Sequence, residues 1–347
     1  MRAAVVHGPG DLRIEEIPEP EPAAGEIVVE IEAALTCGTD AKTLRNGHPA
    51  APPYPFVLGH EMAGTIVAVG TEWTRFPVGT RVVVANSAPC MHCSACRRGE
   101  PFLCRARTFL TGAFAERIRV PEPIARLNVH RVPETLESAL AALTEPLACA
   151  VLAVERSGVR ASDQVAVVGA GPLGLMLCAL LAAAGSSVVA VDPHPDRLAL
   201  AERFGAASTV RAARDRSDVA AIAARSQDGD GVDQVFEAVG STLTWELAIA
   251  MARPGGTVNL FGGCPPGSSV ELPAGRLHYD QLRLQGSFHH TPATIAAALT
   301  FVASRRRPWG ELLGPTIGLD GLASALMRKD PNRPPKFVVD PRSGRAA

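Results

Sequence analysis

Lysine is almost missing from this chain of 347 residues. Only Lys42, Lys329 and Lys336 occur, and arginine supplies the other 31 of the 34 basic residues. These face 35 acidic residues, so the net charge is −1, and no basic tract stands out. A nucleic-acid partner requires a dense positive footprint, which argues against that class. Aromatic residues are scarce, at 5% with two tyrosines. Long apolar runs are missing as well. Residues 173–184 form the most apolar stretch, shorter than the roughly 20 residues that span a bilayer, and read as a buried helix. The opening MRAAVVHGPGDLRIEEI is charged throughout its early part and has no apolar core of the kind an export signal needs. The expectation is a cytoplasmic protein with no membrane partner.

What is present is a 47% hydrophobic chain, enough for about two domains at roughly 150 residues each. The first ~145 residues read as β-rich, with short apolar runs such as EIVVEIEAAL, GTIVAVG and TRVVVA between Gly and Pro turns. ETLESALAALTEPLACAVLAVERSG then has helical spacing, with Pro146 expected to kink or break it. From Gln164 the pattern alternates: QVAVVGAG as strand and turn, PLGLMLCALLAAAG as helix, SSVVAVD as strand, PDRLALAERFG as helix. VDQVFEAVG and GTVNLFGG are further strands around the helical TLTWELAIAMA, QLRLQGSF follows as a strand, and KFVVD closes the chain as another. This rhythm predicts an α/β, doubly wound parallel sheet.

Eight cysteines are too few for a disulfide-dense scaffold in a chain this long. Cys149, Cys178 and Cys264 read as small buried hydrophobes. Cys90, Cys93, Cys96 and Cys104, spaced C-x2-C-x2-C-x7-C, are different. Four soft thiolates at tetrahedral corners fill the shell of Zn²⁺ and leave no open position. Such a site folds a loop and does no chemistry. The competing reading is a pair of disulfides, which the lack of an export signal disfavours.

Gly169-Ala170-Gly171-Pro172-Leu173-Gly174 fits G-x-G-x-x-G between a strand and a helix. The glycines serve the tight turn, the approach of a pyrophosphate and helix–strand packing, and the helix start offers N–H groups to the phosphate. Asp192 follows 23 positions after Gly169 at the end of the next strand. An acidic residue there bonds the ribose hydroxyls and repels a 2′-phosphate, which favours NAD over NADP. Arg197 reads as a solvated helix arginine.

A second metal site is sought upstream. Cys37 sits in LTCGTD, His60 and Glu61 in VLGHEMAG, and Glu145 in LTEPLAC. Singly each is unremarkable. Together one thiolate, one imidazole and one or two carboxylates suit a catalytic zinc, which keeps a position for substrate.

The segments CGTD, GHE, the four-cysteine lobe, TEPLAC, GAGPLG and Asp192 together resemble the zinc-containing medium-chain alcohol dehydrogenase family, in its polyol branch of L-iditol (sorbitol) 2-dehydrogenase-like and L-threonine 3-dehydrogenase-like enzymes. The resemblance covers nearly the whole chain. It implies a GroES-like β-barrel catalytic domain over residues 1–147, with the zinc lobe at about 88–106. A Rossmann NAD-binding domain over 148–285 and a return to the catalytic domain over 286–347 complete it. It further implies two zinc ions per chain and NAD. Cys37, His60 and Glu61 would be catalytic zinc ligands, with Glu145 binding zinc directly or through a water; Glu61 and Glu145 stay open as alternatives for the inner ligand. Thr39 would relay the substrate proton, and Asp192 and Arg197 would hold the adenosine ribose. Relatives often carry a proton-passing histidine where this chain has Lys42, so the relay would end in water or His48. Phe56, Phe114 and the Phe288-His289-His290 run are candidate pocket residues. The expected reaction passes hydride from a secondary alcohol, a polyol or amino alcohol, to NAD; a sugar dehydrogenase, a carbonyl reductase and a non-catalytic nucleotide-binding protein are the alternatives. The small-molecule substrate is the expected partner, and a homo-oligomer, tetramer or dimer, is implied.

Overall fold

The computed structural model describes residues 1–47, 51–213, 217–223, 226, 229–327 and 335–344. The chain forms two compact units, 1–148 with 290–347, and 149–289; the division falls inside the helix Thr144–Ser157.

The first unit is built on a seven-stranded sheet. Its order is Val129–Arg131, Arg81–Val84, Glu61–Val69, Ile27–Leu35, Lys336–Val339 and Leu313–Ile317, with Arg117–Val120 also pairing Ile27–Leu35. The strand Ile27–Leu35 reads IVVEIEAAL, with Val29 and Ile31 unexposed. They pack with Met62, Ile66, Val82, Val84 and Phe114, and with Leu319, Leu322 and Val339 from the end of the chain. Each fully buried side chain of this size contributes about 1.5–3 kcal/mol, which is what recruits the C-terminal segment to this unit. Phe56 and Phe114, expected at a pocket, lie in this core at 9% and 0% exposure. A three-stranded sheet and a two-stranded one, Ser87–Ala88 with Thr108–Phe109, complete the unit.

The second unit is a parallel six-stranded sheet ordered Ser208–Arg211, Ser187–Asp192, Gln164–Val168, Val232–Glu237, Ala252–Leu260, Arg283–Gly286. Helices such as Pro172–Ala183, Pro195–Arg203 and Thr242–Met251 separate successive strands. Strand order reverses between Gln164–Val168 and Val232–Glu237, the crevice where such sheets bind ligands. The strand Ser208–Arg211 and the helix Ser217–Ala223 carry too weak a pattern to read from sequence, the first being only four residues long.

Pro146 breaks nothing. The interruption falls between the helices Ser138–Ala141 and Thr144–Ser157, and Pro146 is the third residue of the latter. There its missing N–H has no intrahelical carbonyl to reach. Taken as one segment, Ser138–Ser157 is long and apolar enough to cross a membrane, but 67% of its apolar 18-residue window is buried inside the fold.

Candidate active site and zinc lobe

Register alone brings three distant segments together. Leu35 is paired with Glu61 on one side and with Val338 on the other, both antiparallel. Continuing two residues past Leu35 reaches Cys37, opposite the chain that carries His60 and beside the chain that carries Lys336. Thr36 and Phe337 close that approach, with the Thr36 N–H donating to the Phe337 carbonyl and the Phe337 N–H to Thr36 Oγ1 at 2.9 Å. Gly59 turns the chain into His60 at φ +96°, and a Cβ there would lie 2.8 Å from the Phe114 ring, so only glycine serves.

Cys37 caps the helix Gly38–Asn46. Its Sγ accepts the Thr39 N–H at 3.5 Å, and its own N–H donates to Asp40 Oδ2 at 2.8 Å. Asp40, 1% exposed, uses its other oxygen on His60 Nδ1 at 3.0 Å. This bond assigns the proton to Nδ1 and leaves Nε2 as the donor atom for a metal, the usual carboxylate–histidine support of a zinc ligand. Burial opposes a charge on His60, but Asp40 and Cys37 hold its pKa well above the ordinary value.

Glu61 opens the strand Glu61–Val69 and is unexposed. Both its oxygens meet Lys336 Nζ, at 2.7 and 2.6 Å, and the ammonium also donates to the Thr36 carbonyl at 3.3 Å. Burial raises the Glu61 carboxyl against the pull of Lys336. Burial works to lower Lys336, yet the charge of Glu61 keeps it above its ordinary value, so it stays an ammonium.

Donor atoms of Cys37, His60 and Glu61 all lie within 4.8 Å of one another. A thiolate, an imidazole and a carboxylate at that spacing fit a zinc ion with room for a further ligand. Glu145 is not one of the three. It lies in the first turn of Thr144–Ser157 at 5% exposure, and burial pushes its carboxyl up to about 7, with His60 pulling it down. Its Oε1 is 3.9 Å from His290 Nε2, which in turn lies 2.8 Å from Asn86 Oδ1. Burial, with Arg107 and His60, drives His290 down to about 3, so it is neutral. His289 is buried and Phe288 is 66% exposed. Thr39 and Lys42 are exposed on the capped helix, and His48 lies outside the described residues. Asp40, Lys336 and Asn86 are the neighbours that motif reading did not assign, whereas His290, a candidate pocket residue in the sequence, stands beside Glu145 and Asn86. Asp40 carried a local signal, an acid three residues after a helix-capping position; Lys336 carried none.

In the lobe, Cys93 Sγ is 3.5 Å from Cys96 Sγ and 3.9 Å from Cys104 Sγ, and Cys104 Sγ is 3.6 Å from Cys90 Sγ. Sulfurs about 2.3 Å from a tetrahedral zinc stand about 3.8 Å apart, so the four fit that ion. None of the eight cysteines is in a disulfide. The backbone at Cys96 lowers the Cys93 thiol to about 6, and burial raises Cys96 to about 12. That split is what close thiols do when they share protons.

In the second unit the Gly169 N–H donates to the Val191 carbonyl at 2.8 Å. A Cβ on Gly174 would lie 1.7 Å from the Gly169 carbonyl oxygen, so helix and strand touch there through glycine. Space above Gly171 is open, at the N-cap of the helix Pro172–Ala183, whose first residues are Pro172 and Leu173. Asp192 Oδ2 accepts the Ala170 N–H at 2.8 Å, and Arg197 Nη1 is 3.8 Å from that oxygen.

Residues 23–134 match the alcohol dehydrogenase GroES-like domain and residues 172–304 the zinc-binding dehydrogenase domain. The chain is 31% identical to a sorbitol dehydrogenase of Bacillus subtilis (strain 168), over 88% of this chain and 86% of the relative. It is also 31% identical to an erythritol/L-threitol dehydrogenase of Mycolicibacterium smegmatis, over 90% and 89%. A zinc-binding dehydrogenase from Sinorhizobium meliloti 1021 bound to NADP superposes with a TM-score of 0.89 at 28% identity, covering 98% of this chain and 99% of the other. A 2R,3R-butanediol dehydrogenase from Bacillus subtilis does so with a TM-score of 0.85 at 28% identity, covering 98% and 99%. The chain belongs to the zinc-containing medium-chain alcohol dehydrogenase family, in its polyol branch.

Proposed function

We propose that this protein is a dehydrogenase of secondary alcohols, with polyols as its substrate class, that uses NAD and holds two zinc ions per chain. The observation that carries the reading is the convergence of Cys37, His60 and Glu61 within 4.8 Å around one point. Cys90, Cys93, Cys96 and Cys104 would hold the second, closed zinc, and Gly169, Gly171, Gly174 and Asp192 the nucleotide. The polyol class is supported by the sorbitol and erythritol/L-threitol dehydrogenases among the relatives. The family resemblance implies a tetramer or dimer.

A zinc held by Cys37, His60 and Glu61 would supply Lewis acidity, which lowers the pKa of an alcohol as it does that of water, and a bound nicotinamide would supply the hydride acceptor. The residues do the remainder. Asp40 fixes the His60 tautomer, so that Nε2 is the ring nitrogen that would hold the ion. Lys336 holds Glu61 in place and balances its charge in a buried setting. Thr39, exposed next to Cys37, takes the alcohol proton toward solvent. Glu145 is a second carboxylate available to the site. The alcohol loses one proton and one hydride and leaves as a ketone.

The test is a panel of polyols and amino alcohols with NAD and NADP side by side, with zinc measured on the same sample. Polyol oxidation and two zinc ions per chain are expected. Cys37→Ser should abolish turnover while NADH still binds; full activity in that variant overturns the assignment. A protein that binds zinc and NADH but turns over no alcohol on a wide panel is a nucleotide-binding protein instead.

A further inference from the structure

Glu237 is a buried carboxylate that the mechanism above leaves unused. It ends the strand Val232–Glu237 at 0% exposure, on the edge of the sheet where strand order reverses. Its Oε1 accepts two backbone N–H groups, those of Val239 and Gly240, each at 2.9 Å. Its backbone carbonyl accepts two more, from Phe261 at 3.0 Å and Gly262 at 2.8 Å. One residue thus grips the turn that follows its own strand and the turn that follows the strand Ala252–Leu260. Burial raises the pKa of the carboxyl, and the Gly240 and Val239 N–H groups are among those that oppose the rise.

These two turns interlock. A Cβ on Gly240 would lie 2.5 Å from the Gly263 carbonyl oxygen, and one on Gly262 would lie 2.2 Å from the Gly240 nitrogen and 2.6 Å from Glu237 Oε2. Trp245 Nε1 donates to the Gly262 carbonyl at 3.0 Å and ties the second turn to the helix Thr242–Met251. On its other side the first turn meets the G-x-G-x-x-G segment. The Ala238 N–H donates to the Val168 carbonyl at 2.9 Å. Val239 Cγ2 fills the space over Gly169, where a Cβ would lie 2.5 Å from it. Three neighbouring strand ends are therefore set by one side chain.

The choice of a carboxylate has a physical reason. Val239 and Gly240 precede Ser241, the cap of the helix Thr242–Met251, so their N–H groups lie at its positive end. Hydrogen bonds to an ionised acceptor are about twice as strong as neutral ones.

We infer that Glu237 is a positioning residue for nucleotide binding: by holding the 238–240 turn against Gly169, its carboxylate keeps the glycine turn in the shape that accepts the dinucleotide. The inference rests on the nucleotide-binding reading proposed above and gives Glu237 no contact with the ligand.

The experiment measures the NADH dissociation constant by nucleotide fluorescence on the full chain, for the wild type, Glu237→Ala, Glu237→Gln and Ile222→Ala. The Tm of each is measured without nucleotide. Ile222 lies at 0% exposure in the core of the same unit, on the helix Ser217–Ala223, and serves as a purely structural comparison. Glu237→Ala should weaken NADH by about tenfold, the size expected when two hydrogen bonds that shape a site are lost. Glu237→Gln keeps an oxygen for the two N–H groups without the charge, so it should recover about half of that loss on a logarithmic scale and bind about threefold more weakly than the wild type. Ile222→Ala should lower the Tm and leave NADH affinity unchanged. The inference is overturned by wild-type affinity in either Glu237 variant, by a glutamine no better than alanine, or by an Ile222→Ala protein that loses affinity along with its Tm. Should Glu237→Ala fail to fold, Glu237→Gln against the wild type decides alone. NADH binding that is indifferent to Glu237 overturns its role only, whereas a wild type that binds no NADH overturns the nucleotide reading itself.

Discussion

At the scale of single residues, the site is a set of charges that burial makes mutually dependent. Glu61 and Lys336 are 0% and 4% exposed, and each is the other's main counter-charge. Removing one partner of such a pair costs about 3–5 kcal/mol because a charge is left buried alone. Lys336→Met should therefore lower the urea midpoint strongly, and adding Glu61→Gln should recover more than half of the loss under the same zinc-free conditions. An additive double mutant would show that the two side chains do not interact. His130 gives a pH-dependent case away from the metal ligands. Burial, assisted by Arg75, lowers its pKa from 6.5, so the folded state favours the neutral ring. That contribution is present above pH 6.5 and is lost as the pH falls below it, because the unfolded chain takes up the proton first. His130→Phe should flatten the acid limb of the stability profile; an unchanged limb would place the titration elsewhere. The convergence of Cys37, His60 and Glu61, the candidate ligands, was signalled by their motifs. Lys336 was not, because it lies 275 positions from Glu61 and nothing local to KFVVD distinguishes a buried ammonium from a strand-edge lysine.

At the scale of elements, two local devices present chemistry. The Cys37–Asp40 capping arrangement starts a helix and orients a candidate ligand with the same hydrogen bonds. The glycine turn would do the equivalent for the proposed nucleotide. Gly174→Ala would drive a methyl group to 1.7 Å from the Gly169 carbonyl, forcing helix and strand apart. Overpacking of this kind costs about 1–3 kcal/mol. A lower Tm together with weaker NADH binding is expected, and unaltered NADH affinity would mean that the turn does not shape the site. Strands and helices with clear periods were readable, from IVVEIEAAL to PDRLALAERFG. Pro146 shows how a breaker misleads: a proline early in a helix reads like a kink in one dimension, yet its position decides the matter, since the first turn has no donor to lose. Phe114 is similar. A candidate pocket residue in the sequence, in three dimensions it packs under Gly59 in the core.

At the scale of the whole molecule, the two proposed metal sites divide scaffold from chemistry. Cys93→Ser should lower thermal stability or disturb assembly while leaving the kcat of the surviving fold near normal. A stable variant that selectively loses the chemical step would mean that the roles of the two sites are reversed. The unit that carries both sites is closed by chain that arrives last. Lys336–Val339 pairs with Ile27–Leu35, so the lysine against Glu61 comes from the far end of the sequence.

The sequence by itself determined the chemistry available: four thiols at zinc spacing, a thiol, an imidazole and carboxylates for a second ion, and a glycine turn followed by an acid. These signals are local, since they depend on residue type and short spacing that the backbone geometry of a turn or helix start converts directly into position. Only the tertiary structure decided which groups stand together. It gathered Cys37, His60 and Glu61 and left Glu145 beside His290. It also set Lys336 on Glu61 and His194 on Asp192. The physical reason is that burial changes what a neighbour is worth. In water these side chains would be solvated and independent, and inside the fold each becomes the counter-charge or hydrogen-bond partner on which the next depends.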